Sequence, residues 1–290
     1  MPIVVLITNP ARPTLEAAAV SALRDAWGGG PADWLAPDLA VEFEIPRIPG
    51  NRAKIWSDFQ SLGVDLCILP AEERQKRLLI ADMDSTMIGQ ECIDEMAEAA
   101  GVGEEVRRIT ARAMNGELDF EGALRERVAL LRGLDVGVAA DLLDTRITDA
   151  PGGRTLVATM RANGAHTLLV SGGFTHFADP VAQRLGFDAH AANVLQVEDG
   201  QLTGTVAEPI LGRDAKVAAL ERATARLGLA ERDVLAVGDG ANDLGMLARA
   251  GMGVAMHAKP AVAAQAALQI NHGDLTALLY LQGYCADAFA

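Results

Sequence analysis

The stretch LLIADMDSTMIGQE (residues 78–91) decides how the rest of the chain reads. Residues 78–81 are apolar without a break, the pattern of a short strand buried on both faces. The run ends directly on Asp82 and Asp84. Along an extended chain, residues i and i+2 point to the same side, so both carboxylates are expected in one space at the strand's end. Acidic groups brought that close either raise a pKa or hold a cation between them.

Working outward, further apolar strands end in polar or glycine-rich tips: HTLLVSGG (166–173), VLAVGDG (234–240) and GVAM (253–256). Helical patterns at 152–162, 175–185 and 214–227 separate most of them. Strand–helix alternation predicts a parallel α/β sheet with helices on both faces. In such sheets ligands bind outside the carboxyl ends of the strands, where the polar tips collect here. Residues 88–150 break the alternation with three or four helices and no strong strand, a candidate cap. NVLQVEDGQLTGTVA (193–207) reads as a hairpin turning near Asp199-Gly200. Upstream, strands at 3–8, in DWLA, in LAVEFEI and at 64–69 alternate with helices at 14–27 and 52–62. That βαββαβ order predicts a small ferredoxin-like α+β unit. The polar run AEERQKR (71–77) separates the two, giving domains of 1–72 and 77–290 with the cap at about 88–150.

Composition narrows the function. A chain of 290 residues, 50% of them hydrophobic, builds a sizeable core. A formal charge of −14 repels nucleic-acid phosphates, so no nucleic-acid partner is expected. No run of ~18 apolar residues predicts a membrane helix. MPIVVLITNP lacks a basic n-region and a small-residue cleavage site, and reads as a first strand rather than a leader. Cys67, Cys92 and Cys285 are odd in number, far apart and without metal spacing, which suits free thiols in a reducing cytoplasm. The histidines share no ligand spacing.

VLAVGDGANDLGM carries Asp239 to another strand end, with Asn242 and Asp243 expected in the first turn of the next helix. With Asp82 and Asp84 this makes an all-oxygen set, which suits a hard cation; Mg2+ commonly takes one or two carboxylates, waters and a substrate phosphate. Ser171 to Gly173 offers a hydroxyl and bare backbone N–H groups to phosphate oxygens, or is a plain strand-to-helix turn. Lys216, near a helix start, is either the cation such an anion needs or a solvated surface lysine.

DMDST, SGG, Lys216 and GDGAND, in this order and at strand tips, resemble the haloacid dehalogenase superfamily of aspartate-nucleophile phosphatases, and within it the phosphoserine phosphatases. The resemblance covers about 75–285. It implies a haloacid-dehalogenase-like parallel sheet core with a helical cap insert. More weakly, by pattern alone, the N-terminal unit resembles an ACT-like domain, which would serve either to bind a regulatory amino acid or to support a homodimer. Carried over by residue, Asp82 is the nucleophile and Asp84 the acid and base. Asp82, the backbone carbonyl of Asp84, and Asp239 hold Mg2+, with Asp243 in the outer shell. Ser171, Gly172 and Lys216 hold the phosphoryl group, with Asn242 nearby. Glu91, Phe120 and Arg127 stand where the family reads the substrate's ammonium, apolar side and carboxylate. Without the resemblance, Glu91 is a helix N-terminal charge and Arg127 an i, i+4 surface partner. Three readings compete with phosphoserine hydrolysis. They are another small-metabolite phosphatase, a phosphotransferase with homoserine as acceptor, and a non-enzymatic phosphoacceptor.

Overall fold

The computed structural model describes residues 1–114 and 117–290. The N-terminal unit runs β1 (Pro2–Ile7), α1 (Ala17–Ala26), β2 (Asp33–Ala36), β3 (Ala40–Glu44), α2 (Arg52–Ser61) and β4 (Asp65–Pro70). Its antiparallel sheet has the order β2-β3-β1-β4. Alternation along β1 splits its side chains between two cores. Val4 and Leu6 join Val20, Leu23 and Phe59 of the two helices. Ile3, Val5 and Ile7 face the other way, into the same core as Leu278 and Tyr280 near the carboxyl terminus. Helix α1 starts at Ala17 rather than Thr14, because the backbone N–H of Leu15 is taken by the carbonyl of Asp38.

The second unit is a six-stranded sheet of order β12-β11-β10-β5-β6-β7. Its strands are β5 (Leu78–Ala81), β6 (His166–Phe174), β7 (Ala189–Asn193), β10 (Val234–Gly238), β11 (Met252–Met256) and β12 (Leu268–Ile270). Every neighbouring pair is parallel. Leu79 and Ala81 of β5 pack towards α7 (Gly153–Ala162) and α8 (Thr175–Leu185). Leu78 and Ile80 pack towards α9 (Arg213–Leu227) and α10 (Leu244–Arg249). That two-sided burial is why the strand reads as an unbroken apolar run. Between β5 and α7 lie the cap helices α3 (Cys92–Ala99), α4 (Gly103–Met114), α5 (Phe120–Ala129) and α6 (Val138–Thr145). The hairpin of β8 (Leu195–Glu198) and β9 (Gln201–Val206) turns on Asp199 and Gly200, with φ of 50° and 79°. Positive φ at both central residues is the turn that matches the strands' twist. Helix α11 (Pro260–Ala263) and helix α12 (Ala277–Leu281) complete the chain's α-helices among the described residues. Among the described residues, no helix is long and apolar enough to cross a membrane.

One buried carboxylate joins the two units. Asp65 at the start of β4 is fully buried and accepts from the backbone N–H groups of Asn271 (2.8 Å), His272 (3.0 Å) and Gly273 (2.8 Å). Truncation orphans three donors, that of Gly273 buried and those of Asn271 and His272 half-buried, each worth about 1–3 kcal/mol. Asp65→Ala should therefore lower the unfolding free energy by about 3 kcal/mol or more in urea titration. A loss below about 1 kcal/mol would mean that water replaces the carboxylate without penalty.

Candidate active site

The residues singled out by the motifs gather at the carboxyl ends of β5, β6 and β10. Asp82 extends β5 by one bond, its N–H donating to the carbonyl of Val237 (3.0 Å). The chain then turns: the N–H groups of Met87 and Ile88 both bond back to the carbonyl of Met83. Ser85 has φ 55°. The two carboxylates line one cavity, as the i, i+2 spacing predicts, but this turn gives them different hydrogen-bond neighbours. Asp82 meets Lys216 Nζ at 2.6 Å, whereas Asp84 accepts from the backbone N–H of Cys92 (2.9 Å) and from Ser171 Oγ (3.1 Å).

Lys216 is not a surface lysine. It is fully buried in the first turns of α9, and its ammonium also meets Asp243 at 2.6 Å. Asp243 precedes α10 rather than lying inside its first turn. Its other oxygen accepts from the N–H of Gly240 (3.0 Å), which closes the GDGAND loop. A Cβ at Gly238 would lie 2.4 Å from the Asp243 carboxyl carbon, so this strand end needs glycine for the loop to close. Carboxylate oxygens of Asp82, Asp239 and Asp243 lie within 4.8 Å of one another, a group that can hold a metal ion. The Asp84 side chain is outside that group.

One buried ammonium faces two carboxylates, which leaves negative charge in surplus. Burial and the charge of Asp243 push the Asp82 carboxyl well above the usual carboxylate range, with Lys216 opposing. Burial works against the Lys216 charge, but Asp82 and Asp243 outweigh it and its pKa ends above the ordinary lysine value. Asp239 is raised by burial and then by Asp243. Asp84 is raised by burial against its bonds to Cys92 and Ser171. Such a carboxyl is easier to keep protonated, a useful state for an acid at neutral pH.

A cavity of about 560 Å3 opens over these groups and is roofed by the cap. Asp82, Asp84, Asp239, Gly172 and Asn242 line its floor, and Glu91, Phe120 and Arg127 its cap side. Ser171, Lys216 and Asp243 lie behind the floor, fully buried. Glu91 accepts from Ser85 Oγ (2.7 Å), and burial, then Asp84, lifts its pKa to about 7. Arg127 is no i, i+4 surface partner: that pairing with Glu121 belongs to Arg125. The Arg127 Nε–H donates to the carbonyl of Ala123 (3.2 Å), and among the described residues its terminal nitrogens make no ion pair. Burial lowers its pKa, with Asp94 and Glu91 opposing.

Some residues at the site went unassigned by the sequence reading. Thr86 of DMDST donates to Asp239 (3.1 Å), joining two strand ends. Asp94, Arg213 and Lys259 also line the cavity. Thr86 sits inside a quoted motif and could have been found there. The other three have no spacing signal.

Residues 79–248 match the model of the haloacid dehalogenase-like hydrolase family. A phosphoserine phosphatase of Streptomyces coelicolor is 41% identical over 279 residues, covering 93% of this chain and 68% of that protein. Among solved structures, a probable phosphoserine phosphatase from Vibrio cholerae superposes with a TM-score of 0.80 at 31% identity, over 99% of this chain and 88% of that one. A phosphoserine phosphatase captured as an analogue of its phospho-aspartyl intermediate is 40% identical, with a TM-score of 0.66 over 71% of this chain and 98% of that one. The matched segment begins in the strand that presents Asp82 and ends in the helix that follows Asp243. On that extent of agreement, the chain belongs to the haloacid dehalogenase-like hydrolases.

Proposed function

We propose that this hydrolase cleaves O-phosphoserine to serine and inorganic phosphate, the closing step of serine biosynthesis, in the cytoplasm. The observation that carries the reading is the pairing of Glu91 and Arg127 on the cap side of the cavity that holds Asp82. A carboxylate and a guanidinium that makes no ion pair among the described residues fit the ammonium and carboxylate of an amino acid, and the planar fork of arginine favours the latter. The phospho-aspartyl analogue of a 40% identical relative supports a covalent route.

Asp82 attacks phosphorus. The new O–P bond forms as the bond to the serine oxygen breaks, and Asp84 gives that oxygen its proton. A water then attacks the same phosphorus, Asp84 takes its proton, and Asp82 is released with phosphate. Lys216, the N–H of Gly172 and Ser171 hold phosphoryl oxygens, with Asn242 at the rim. Phosphoryl transfer depends mainly on such positioning and charge stabilisation. Phe120 closes the apolar side of the serine moiety. The Asp82, Asp239 and Asp243 group fits a hard cation, and we assign Mg2+ to it, with the Asp84 carbonyl as a further ligand and Asp243 in support. Held by these residues, Mg2+ would supply positive charge that offsets the negative charge of the carboxylates and the phosphoryl group.

Phosphate release should be measured with Mg2+ on phosphoserine, phosphothreonine, phosphoethanolamine and sugar phosphates. Phosphoserine should be strongly preferred. Arg127→Ala should lower kcat/KM for phosphoserine about 10–100-fold, the size of one charged hydrogen bond, and leave phosphoethanolamine within about threefold. Equal losses on both would remove Arg127 as the reader of the carboxylate.

A further inference from the structure

Asn193, the last residue of β7, was not singled out by any motif, and only 3% of it is exposed. Its amide makes three bonds. Nδ2 donates to the carbonyls of Gly172 (2.8 Å) and Leu211 (3.3 Å), and Oδ1 accepts from the backbone N–H of Leu211 (2.6 Å). Only an amide can donate twice and accept once from one short side chain, since a carboxylate has no donor and a hydroxyl has one hydrogen. The bonded segments matter. Gly172 lies near the end of β6, where the pairing with β7 shifts register between Val170 and Phe174, and lines the cavity floor. Leu211 precedes Gly212, whose carbonyl accepts the N–H of Lys216 (3.1 Å) at the start of α9.

The two glycines so held receive the same cap residue. A Cβ on Gly172 would lie 3.2 Å from Phe120 Cζ, and one on Gly212 would lie 3.1 Å from Phe120 Cδ1. The ring therefore rests against both bare backbones. Between Asn193 and Leu211 the chain leaves the sheet as the β8–β9 hairpin and grips the cap. Gly133 N–H donates to the Leu202 carbonyl (2.8 Å), Leu202 N–H to Leu134 (2.9 Å), and Val136 N–H to Gly200 (3.0 Å). Asn193 thus closes the neck of the excursion that fastens cap to core.

We propose that Asn193 is a positioning residue for the reaction. It ties the end of β6 at Gly172 to the Leu211–Gly212 segment and so sets, together, the phosphate cradle, the start of the Lys216 helix and the two-glycine seat of Phe120. The proposal rests on the cavity being a phosphoryl-transfer site. Its experiment therefore includes a probe that does not depend on which ester is cleaved: inorganic phosphate, titrated calorimetrically with Mg2+ present.

In Asn193→Ala, kcat/KM for phosphoserine should fall about 10²-fold, the cost of displacing reacting groups by roughly an ångström. Phosphate affinity should fall about tenfold, and Mg2+ affinity should stay within about twofold, because its ligands lie in the segments that follow β5 and β10, which Asn193 does not bond. The loss should be at least about threefold smaller in a Phe120→Ala background, where the seat has no occupant. Full phosphate affinity and kcat/KM with only a lowered Tm would overturn the proposal, as would an undiminished loss without Phe120. Failure of the parent protein to bind phosphate would instead remove the phosphoryl-transfer reading, and this one with it. Should Asn193→Ala not fold, Asn193→Asp and Gly212→Ala carry the test. Asn193→Asp keeps the acceptor for Leu211 and should show the same losses. Gly212 has φ −109° and ψ −155°, outside the left-handed region, and the three atoms nearest its Cβ would all belong to the Phe120 ring, the first at 3.1 Å. Gly212→Ala should raise KM about tenfold with Phe120 present and leave it unchanged without it; an unchanged KM in both would overturn the seat.

Discussion

Asp82→Asn should abolish turnover, lowering kcat by at least about 10⁴-fold, the scale on which loss of a nucleophile acts. The amide has nearly the same shape, and its oxygen can still accept from Lys216, now at 2.6 Å from the carboxylate. What would disappear is the negative oxygen proposed to attack phosphorus. The same change relieves a strain: the Asp82 carboxyl is buried beside Asp243, and both facts disfavour its charge. The variant should therefore be as stable as the parent in the absence of metal, or more so. Inactivity with an undiminished Tm is the expected pair of results, read by phosphate release and thermal unfolding. Activity within about tenfold of the parent would remove Asp82 as the nucleophile.

The second large effect is expected at Lys216. In Lys216→Met two buried carboxylates lose the ammonium that stands 2.6 Å from each. Removing one partner from a buried pair costs about 3–5 kcal/mol, because charge is left uncompensated. Loss of one donor to the phosphoryl oxygens should also lower kcat about 10²–10³-fold. The stability loss has a sign that can be checked. A carboxyl whose folded-state pKa lies above its unfolded value destabilises most when ionised, so the penalty should shrink as pH falls towards the ordinary carboxyl range. Mg2+ should restore part of the stability, since a cation that binds the folded group stabilises by mass action. Its effect on Tm should be larger in the variant than in the parent, where Lys216 competes for the same oxygens. Equal stability of variant and parent in metal-free buffer at pH 8 would show that Lys216 does not neutralise this pair.

These expectations differ in how far they depend on the folded chain. DMDST after an apolar run, SGG after HTLLV and GDGAND after VLAV are local patterns. Each couples a buried strand to the polar residues that follow it, and a parallel sheet collects all such ends on one side. The α/β core, the helical insert and the hairpin turn at Asp199-Gly200 follow from periodicity and turn chemistry within a few residues. That is why they could be read from the chain alone. Helix starts at Ala17 and Leu244 could not, because a distant carbonyl and a loop closure set them.

What tertiary structure alone decided is which atoms meet. The turn at Met83–Ser85 sends Asp82 towards Lys216 and Asp84 towards Ser171, although the two are neighbours in an apparent strand pattern. Arg127, two residues beyond the Arg125 that takes its i, i+4 neighbour Glu121 and so on another face of α5, is carried by packing to the cavity. Asp65 finds Gly273 across 208 residues, and Asn193 finds Gly172 and Leu211 from a position with no motif around it. The sequence determined the strands, their polar ends and the residue types gathered there, because backbone preference and hydrophobic period act over short range. The partners of each buried charge and amide came from packing, because a hydrogen bond depends on ångström-scale distance and direction, and spacing along a chain carries neither.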